Sequence, residues 1–161
     1  MAIKYRAESK KYEPGHIQTL LVGEAPPANG KTYFYVPKPM NPEVSSERQA
    51  NLPGTVFGHY FRSIPAREEE YANLLTRLKK RGVFLIDICD EPIKVRNSPE
   101  GVARIIAEIP KLRSKLKRRK IRISEDKIIF LHARRDYTRE LRSAFPNSKH
   151  TCWMCFRMNW E

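Results

Sequence analysis

The chain has 161 residues, 40% hydrophobic and 10% aromatic, which suits one domain with its own core and excludes a disordered segment. Its 31 Lys and Arg against 18 Asp and Glu give a net charge of +13 and a sequence pI near 9.9, a balance that favours polyanions and nucleic acid first among them. No apolar run approaches the ~20 residues that cross a bilayer, and Met1 to Arg6 lacks the apolar centre of a signal peptide, so a cytoplasmic protein with no membrane partner is expected.

Residues 1–16 are polar and basic and read as an N-terminal arm or edge segment of a single domain covering 1–161. Ile17 to Val22 is an apolar run that stops at Gly23, which predicts a first strand covered on both faces. Residues 24–65 hold most of the prolines and glycines and predict a long irregular excursion, with one anchored turn at Val56 to Phe61. From Ala66 to Arg81 the period becomes helical, with Tyr71, Leu74, Leu75 and Leu78 on one face and Gly82 placed to stop it. Val83 to Cys89 predicts the second strand. Ser98 followed by Pro99 signals a helix start, and Val102, Ile105, Ile106, Ile109, Leu112 and Leu116 form its stripe, broken at Pro110. Lys127 to Leu131 predicts a third strand, Tyr137 to Phe145 a third helix, and Thr151 to Phe156 a fourth strand.

Short apolar strands alternating with amphipathic helices imply parallel pairing through right-handed crossovers. The expected fold is α/β: a three-layer α/β/α sandwich around a four-stranded, mainly parallel sheet. Open sheets of this kind bind ligands at the carboxyl ends of their strands. That rim should carry Glu24, Asp87 with Asp90, and His132. Pro26 and Pro27 stiffen the loop after Glu24, and Tyr33, Phe34 and Tyr35 follow with flat faces. An acid held beside aromatic rings suits a planar polar group such as a nucleobase.

Lys111 to Arg122 contains eight basic residues and no acid, a density suited to phosphate backbones. Lys115, Lys117, Arg118, Arg119 and Lys120 are its candidate backbone contacts. Arg134 and Arg135, with Arg139 and Arg142, form a second basic face. Three cysteines, Cys89, Cys152 and Cys155, an odd number, speak against a disulfide framework, and Cys152-x-x-Cys155 with His150 has metal-like spacing but lacks a clear fourth ligand and reads rather as a buried strand. No metal or cofactor is expected.

Gly23-Glu24-Ala25-Pro26-Pro27 resembles the Gly-Glu-Ala-Pro-Gly that opens the site in some members of the uracil-DNA glycosylase superfamily, matching four of its five positions. Gly30 to Tyr35 is similar to that family's base-stacking segment, and Leu85-Ile86-Asp87 to its second motif, where many members carry Asn. Closest of all is a subgroup with Glu-Ala-Pro-Pro-Ala-x-Gly followed by aromatics. The resemblance implies a glycosylase-like fold, DNA rather than RNA as partner, and excision of a damaged base. Glu24 would be the catalytic carboxylate, stabilising the sugar cation or orienting a water, with Gly23, Ala25, Phe34, Tyr35 and Asp87 around the base. Pro27 stands where the family has glycine, and the family's terminal His has no counterpart after the fourth strand. Arg157 or Asn159, and more distantly His59, would then neutralise the departing base. Two alternatives follow: a catalytically silent nucleic-acid-binding module of the same fold, and a metal-dependent nuclease using Glu24, Asp87, Asp90 and Glu91.

Overall fold

Leu20, Leu21 and Val22 are at most 1% exposed and form the middle of β1 (Thr19–Gly23), the strand on which the computed structural model is built. The structure describes residues 2–41, 51–95, 98–131 and 137–151. Three further strands complete the sheet: β2 (Val83–Asp87), β3 (Ile128–Leu131) and β4 (Lys149–Thr151). All pairings are parallel and the spatial order is β2-β1-β3-β4. The apolar runs of β1, β2 and β3 are near-continuous, as in strands covered on both faces, whereas β4 is polar and only Thr151 is buried.

The helices are α1 (Ala2–Lys10), α2 (Leu52–Phe61), α3 (Glu68–Lys80), α4 (Pro99–Glu108), α5 (Leu112–Arg118) and α6 (Thr138–Ala144). The chain steps from β1 out to β2, then crosses back over β1 to β3 and on to β4. Right-handed crossovers therefore place α2 and α3 on one face and α4 to α6 on the other. Contacts of α3 with β2, and of α6 with the 109–111 turn between α4 and α5, agree with that division.

Most elements lie where the sequence predicts them. Tyr71, Leu74, Leu75 and Leu78 are the buried face of α3, and Gly82 ends it with φ +71°. Ser98 caps α4, its Oγ accepting the Gly101 N–H at 3.0 Å. Pro110 removes a backbone donor, and the helix passes through a tight 109–111 turn before resuming as α5.

Two segments differ from expectation. Residues 2–10 are a helix, not an arm: Tyr5 is 5% exposed, its hydroxyl donates to the Pro27 carbonyl at 2.6 Å, and its ring meets Tyr33 edge-on at 4.8 Å. Residues 56–61 belong to α2, a full helix capped by Asn51 Oδ1 on the Gly54 N–H at 2.8 Å. The fourth strand is described as 149–151, and the rest of its predicted span lies outside the described residues. Among those residues, no helix is long and apolar enough to cross a membrane.

Candidate functional site at the carboxyl edge of the sheet

The reversal of chain direction across β1 creates a topological switch point between β1 and β3, where open α/β sheets hold ligands. Gly23 and Glu24 stand at that point. Their backbone is pinned to β2's continuation: Ile88 N–H donates to the Gly23 carbonyl at 2.9 Å and Cys89 N–H to the Glu24 carbonyl at 3.0 Å. Glu24 is half-buried, and the buried Ala25 and Pro26 follow it into the wall. The stiffness expected from the prolines thus has a second source in this extension of the ladder.

Gly23 pairs with Asp87 in the register, and Asp87's carboxylate rests on it. A Cβ at position 23 would lie 2.6 Å from Asp87 Oδ1, closer than real Cβ contacts come. The absence of a side chain at 23 is what lets the acid sit over β1. Gly23→Ala is expected to leave the circular dichroism spectrum unchanged and cost about 1 to 3 kcal/mol by overpacking. Urea denaturation measures the cost, and a loss below about 0.3 kcal/mol would show that Asp87 swings away freely.

Beside Asp87 is a recess of about 20 Å³, bounded by Tyr5 and Ser9 of α1, Tyr33, Asp90 and Arg119. That is room for about one water molecule. Burial raises the Tyr33 phenol well above the ordinary tyrosine range, and the nearby Asp87 carboxylate pushes it the same way. Arg119 is shifted down, chiefly by burial, against the pull of Asp90. Its Nη2 donates to Asp90 Oδ1 at 2.7 Å.

Lys115 does not reach for phosphate. It is 4% exposed, and its Nζ donates to the carbonyls of Asp87 (2.7 Å) and Ile88 (2.8 Å) and pairs with Asp90 at 2.8 Å. The ammonium closes the end of β2, where the strand's last carbonyls would otherwise be buried unpaired. Burial lowers its pKa despite Asp90. Its position was legible: Lys115 is three residues after Leu112 and one before Leu116, on the apolar stripe of α5. Lys117, Arg118 and Lys120 are exposed, as phosphate contacts must be. Arg134 and Arg135 lie outside the described residues, as do His132, Cys152, Cys155, Arg157 and Asn159.

Phe34 and Tyr35 are enclosed, at 4% and 2% exposure, and neither offers an open face. Phe34 packs against Phe57 and edge-on to Tyr35. The Tyr35 hydroxyl accepts the Leu85 N–H at 2.7 Å and donates to the Leu85 carbonyl at 3.0 Å. Because β2 is an edge strand, this one phenol satisfies both backbone groups of Leu85 that a further strand would have paired. Sequence reasoning missed that role, since nothing local to Tyr35 signals a partner fifty residues away.

His59 lies half-buried in α2 with its ring edge-on to Tyr60. Among the described residues no three His, Cys, Asp or Glu side chains gather closely enough to hold a metal ion. Cys89 is a buried free thiol whose pKa is pushed up to about 11 by burial and by Glu108, which keeps it protonated near neutral pH. Compared with protein-family models, with curated proteins and with solved structures, the chain matches none.

Proposed function

We propose that this chain binds nucleic acid, DNA before RNA, and hydrolyses the N-glycosidic bond of a damaged base in the manner of the uracil-DNA glycosylase superfamily. The observation that carries the reading is the seat of Glu24: an acid directly after the central strand, at the switch point, with its backbone fixed by Cys89. The sequence Gly23 to Pro27 and the net charge of +13 support it.

The chemistry follows from charge. As the C1′–N bond breaks, positive charge develops on the sugar and negative charge on the departing base. A carboxylate at Glu24 stabilises the cation and takes the proton of the water that adds to C1′. The base leaves as an anion and needs a cation or a hydrogen-bond donor to hold its charge. Arg157 and Asn159 remain the residues proposed for that, with His59 a third. Asp87, whose carboxylate rests over Gly23, would accept a hydrogen bond from the edge of the base.

A second reading has its own support. Phe34 and Tyr35 are locked in the core, with Tyr35 tied to β2, and this favours a module that kept the fold and lost base stacking. The nuclease alternative is weaker, because Asp90, one of its four acids, is already paired with Lys115 and Arg119.

Single-turnover excision on labelled oligonucleotides carrying uracil, hypoxanthine or xanthine, with EDTA present, separates these readings. The glycosylase predicts abasic sites formed by the native chain and a loss of about 100-fold or more in Glu24→Ala. Oligonucleotide binding without abasic sites would overturn it in favour of the silent module. Cleavage only when EDTA is omitted would favour the nuclease.

A further inference from the structure

We infer that a groove between the α1–β1 connection and the segment leaving α5 seats the phosphates of a nucleic-acid strand. The inference rests on the proposed nucleic-acid partner but not on base excision. The groove, about 530 Å³, is walled on one side by Lys10, Glu13 and His16 and on the other by Arg119, Lys120 and Arg122. Lys10, Lys120 and Arg122 thus face one acid, Glu13, with Arg119 beside them already held by Asp90. Lys10, Lys120 and Arg122 are exposed, and none of them has an ion-pair partner among the described residues. Pro14, Ile17 and Ile121 form the floor, so the cations stand around an apolar strip and not on an open plain. Such a groove tracks a polyanion through its backbone.

Arg119 also bounds the recess beside Asp87. One end of the groove thus points toward the carboxyl edge of the sheet, while His16 and Ile17 at its other end lie where the chain enters β1, beside Gly82. The basic stretch from Lys111 to Arg122 divides in two: Lys115 turns inward, while Arg119, Lys120 and Arg122 meet Lys10 of α1 across the groove.

Lys120 carries an independent sign of use. The Ile121 N–H bonds to the Leu116 carbonyl at 2.9 Å and the Lys120 N–H to the Lys117 carbonyl at 3.0 Å. This pattern closes a helix through one left-handed residue, usually glycine. Here that residue is Lys120, at φ 57°. A lysine in glycine's place is strained, and strain of this kind collects where a side chain is needed.

The test follows fluorescence anisotropy of labelled single-stranded DNA and of RNA of the same sequence, from 50 to 200 mM salt. Three chains are compared: the native protein, Lys120→Gly with Arg122→Gln, and Lys80→Gln with Lys127→Gln, two exposed lysines outside both basic faces, which removes equal charge elsewhere. The groove variant is expected to bind about tenfold more weakly, with a salt slope shallower by about 2. Lys120→Gly alone should raise Tm by about 2–4 °C while weakening binding, a combination that a structural role cannot produce. Equal losses in the groove variant and the Lys80/Lys127 control would overturn the inference and leave diffuse attraction. Displacement by polyglutamate as readily as by unlabelled oligonucleotide would overturn it as well. If the native chain binds neither oligonucleotide at 50 mM salt, the groove and the proposed nucleic-acid partner fail together. Binding that survives the groove variant sinks the groove alone.

Discussion

Replacing Lys115 with methionine is expected to destabilise the fold by about 2 to 4 kcal/mol. Methionine keeps the apolar stem against Leu112 and Leu116, so little packing is lost and the effect isolates the ammonium. Without it the carbonyls of Asp87 and Ile88 lose their donor at the end of β2. Each buried acceptor left unpaired costs about 1 to 3 kcal/mol. Asp90 contributes less, because its side chain is 46% exposed and Arg119 still holds it. Urea denaturation reads the change as a lower midpoint at unchanged m-value. A shift worth less than about 0.5 kcal/mol would mean that the ammonium is not engaged as the structure has it. The same substitution should leave the salt slope of oligonucleotide binding untouched, since Lys115 faces inward.

The second large effect is alkaline. Tyr33, Tyr35 and Tyr71 all have phenols raised well above the usual tyrosine range, with burial the leading cause in each. Below pH 10 both folded and unfolded chains keep these phenols neutral, and their contribution is fully present. Above pH 10 the unfolded chain releases protons that the fold retains. Stability then falls by about 1.4 kcal/mol per pH unit for each phenol, or about 4 kcal/mol per unit for the three together. A domain of ordinary stability, about 5 to 15 kcal/mol, would unfold within a few units above pH 10.

Two other groups shape the approach to that fall. Burial lowers Lys38 to about 8, so from pH 8 up to its ordinary 10.5 the unfolded chain holds a proton that the fold has shed, and stability climbs. Cys89, raised from 9.0 to about 11, works the opposite way from pH 9 upward. The expected profile climbs from pH 8 to 9, is nearly level from pH 9 to 10 and falls steeply beyond. Urea midpoints across pH, with tyrosinate absorbance alongside, measure both parts. Phenols that ionise near pH 10 in a chain still folded would contradict the burial of this cluster.

The elements legible in the sequence were those whose signal is local. Leu20 to Val22 and Val83 to Ile86 are apolar runs of strand length, and Ser98-Pro99 and Pro110 act through their own backbones. Helix α1 was not legible because it buries little: Tyr5 and Ser9 are enclosed, Lys4, Arg6, Ala7 and Lys10 are exposed, and no period of 3.6 stands out. Its place is set by tertiary contacts to Pro27 and Tyr33. The same holds for the site. Glu24's position at a strand end could be read from Gly23 and the prolines, whereas the burial of Tyr35 depends on the unpaired edge of a strand fifty residues later. Lys115 shows the converse: within a run of cations, helical spacing against Leu112 and Leu116 outweighs composition.

The loop from Glu24 to Tyr35 leaves β1 but is fastened at both ends to β2's line, through Cys89 at one end and Leu85 at the other. Between those ties, Ala28 and Asn29 are exposed. Added length at that apex changes neither anchor, so a reporter peptide or a second domain spliced between Ala28 and Asn29 would hang from a fixed post. The same graft one residue beyond Glu24 or before Tyr35 would pull directly on the sheet.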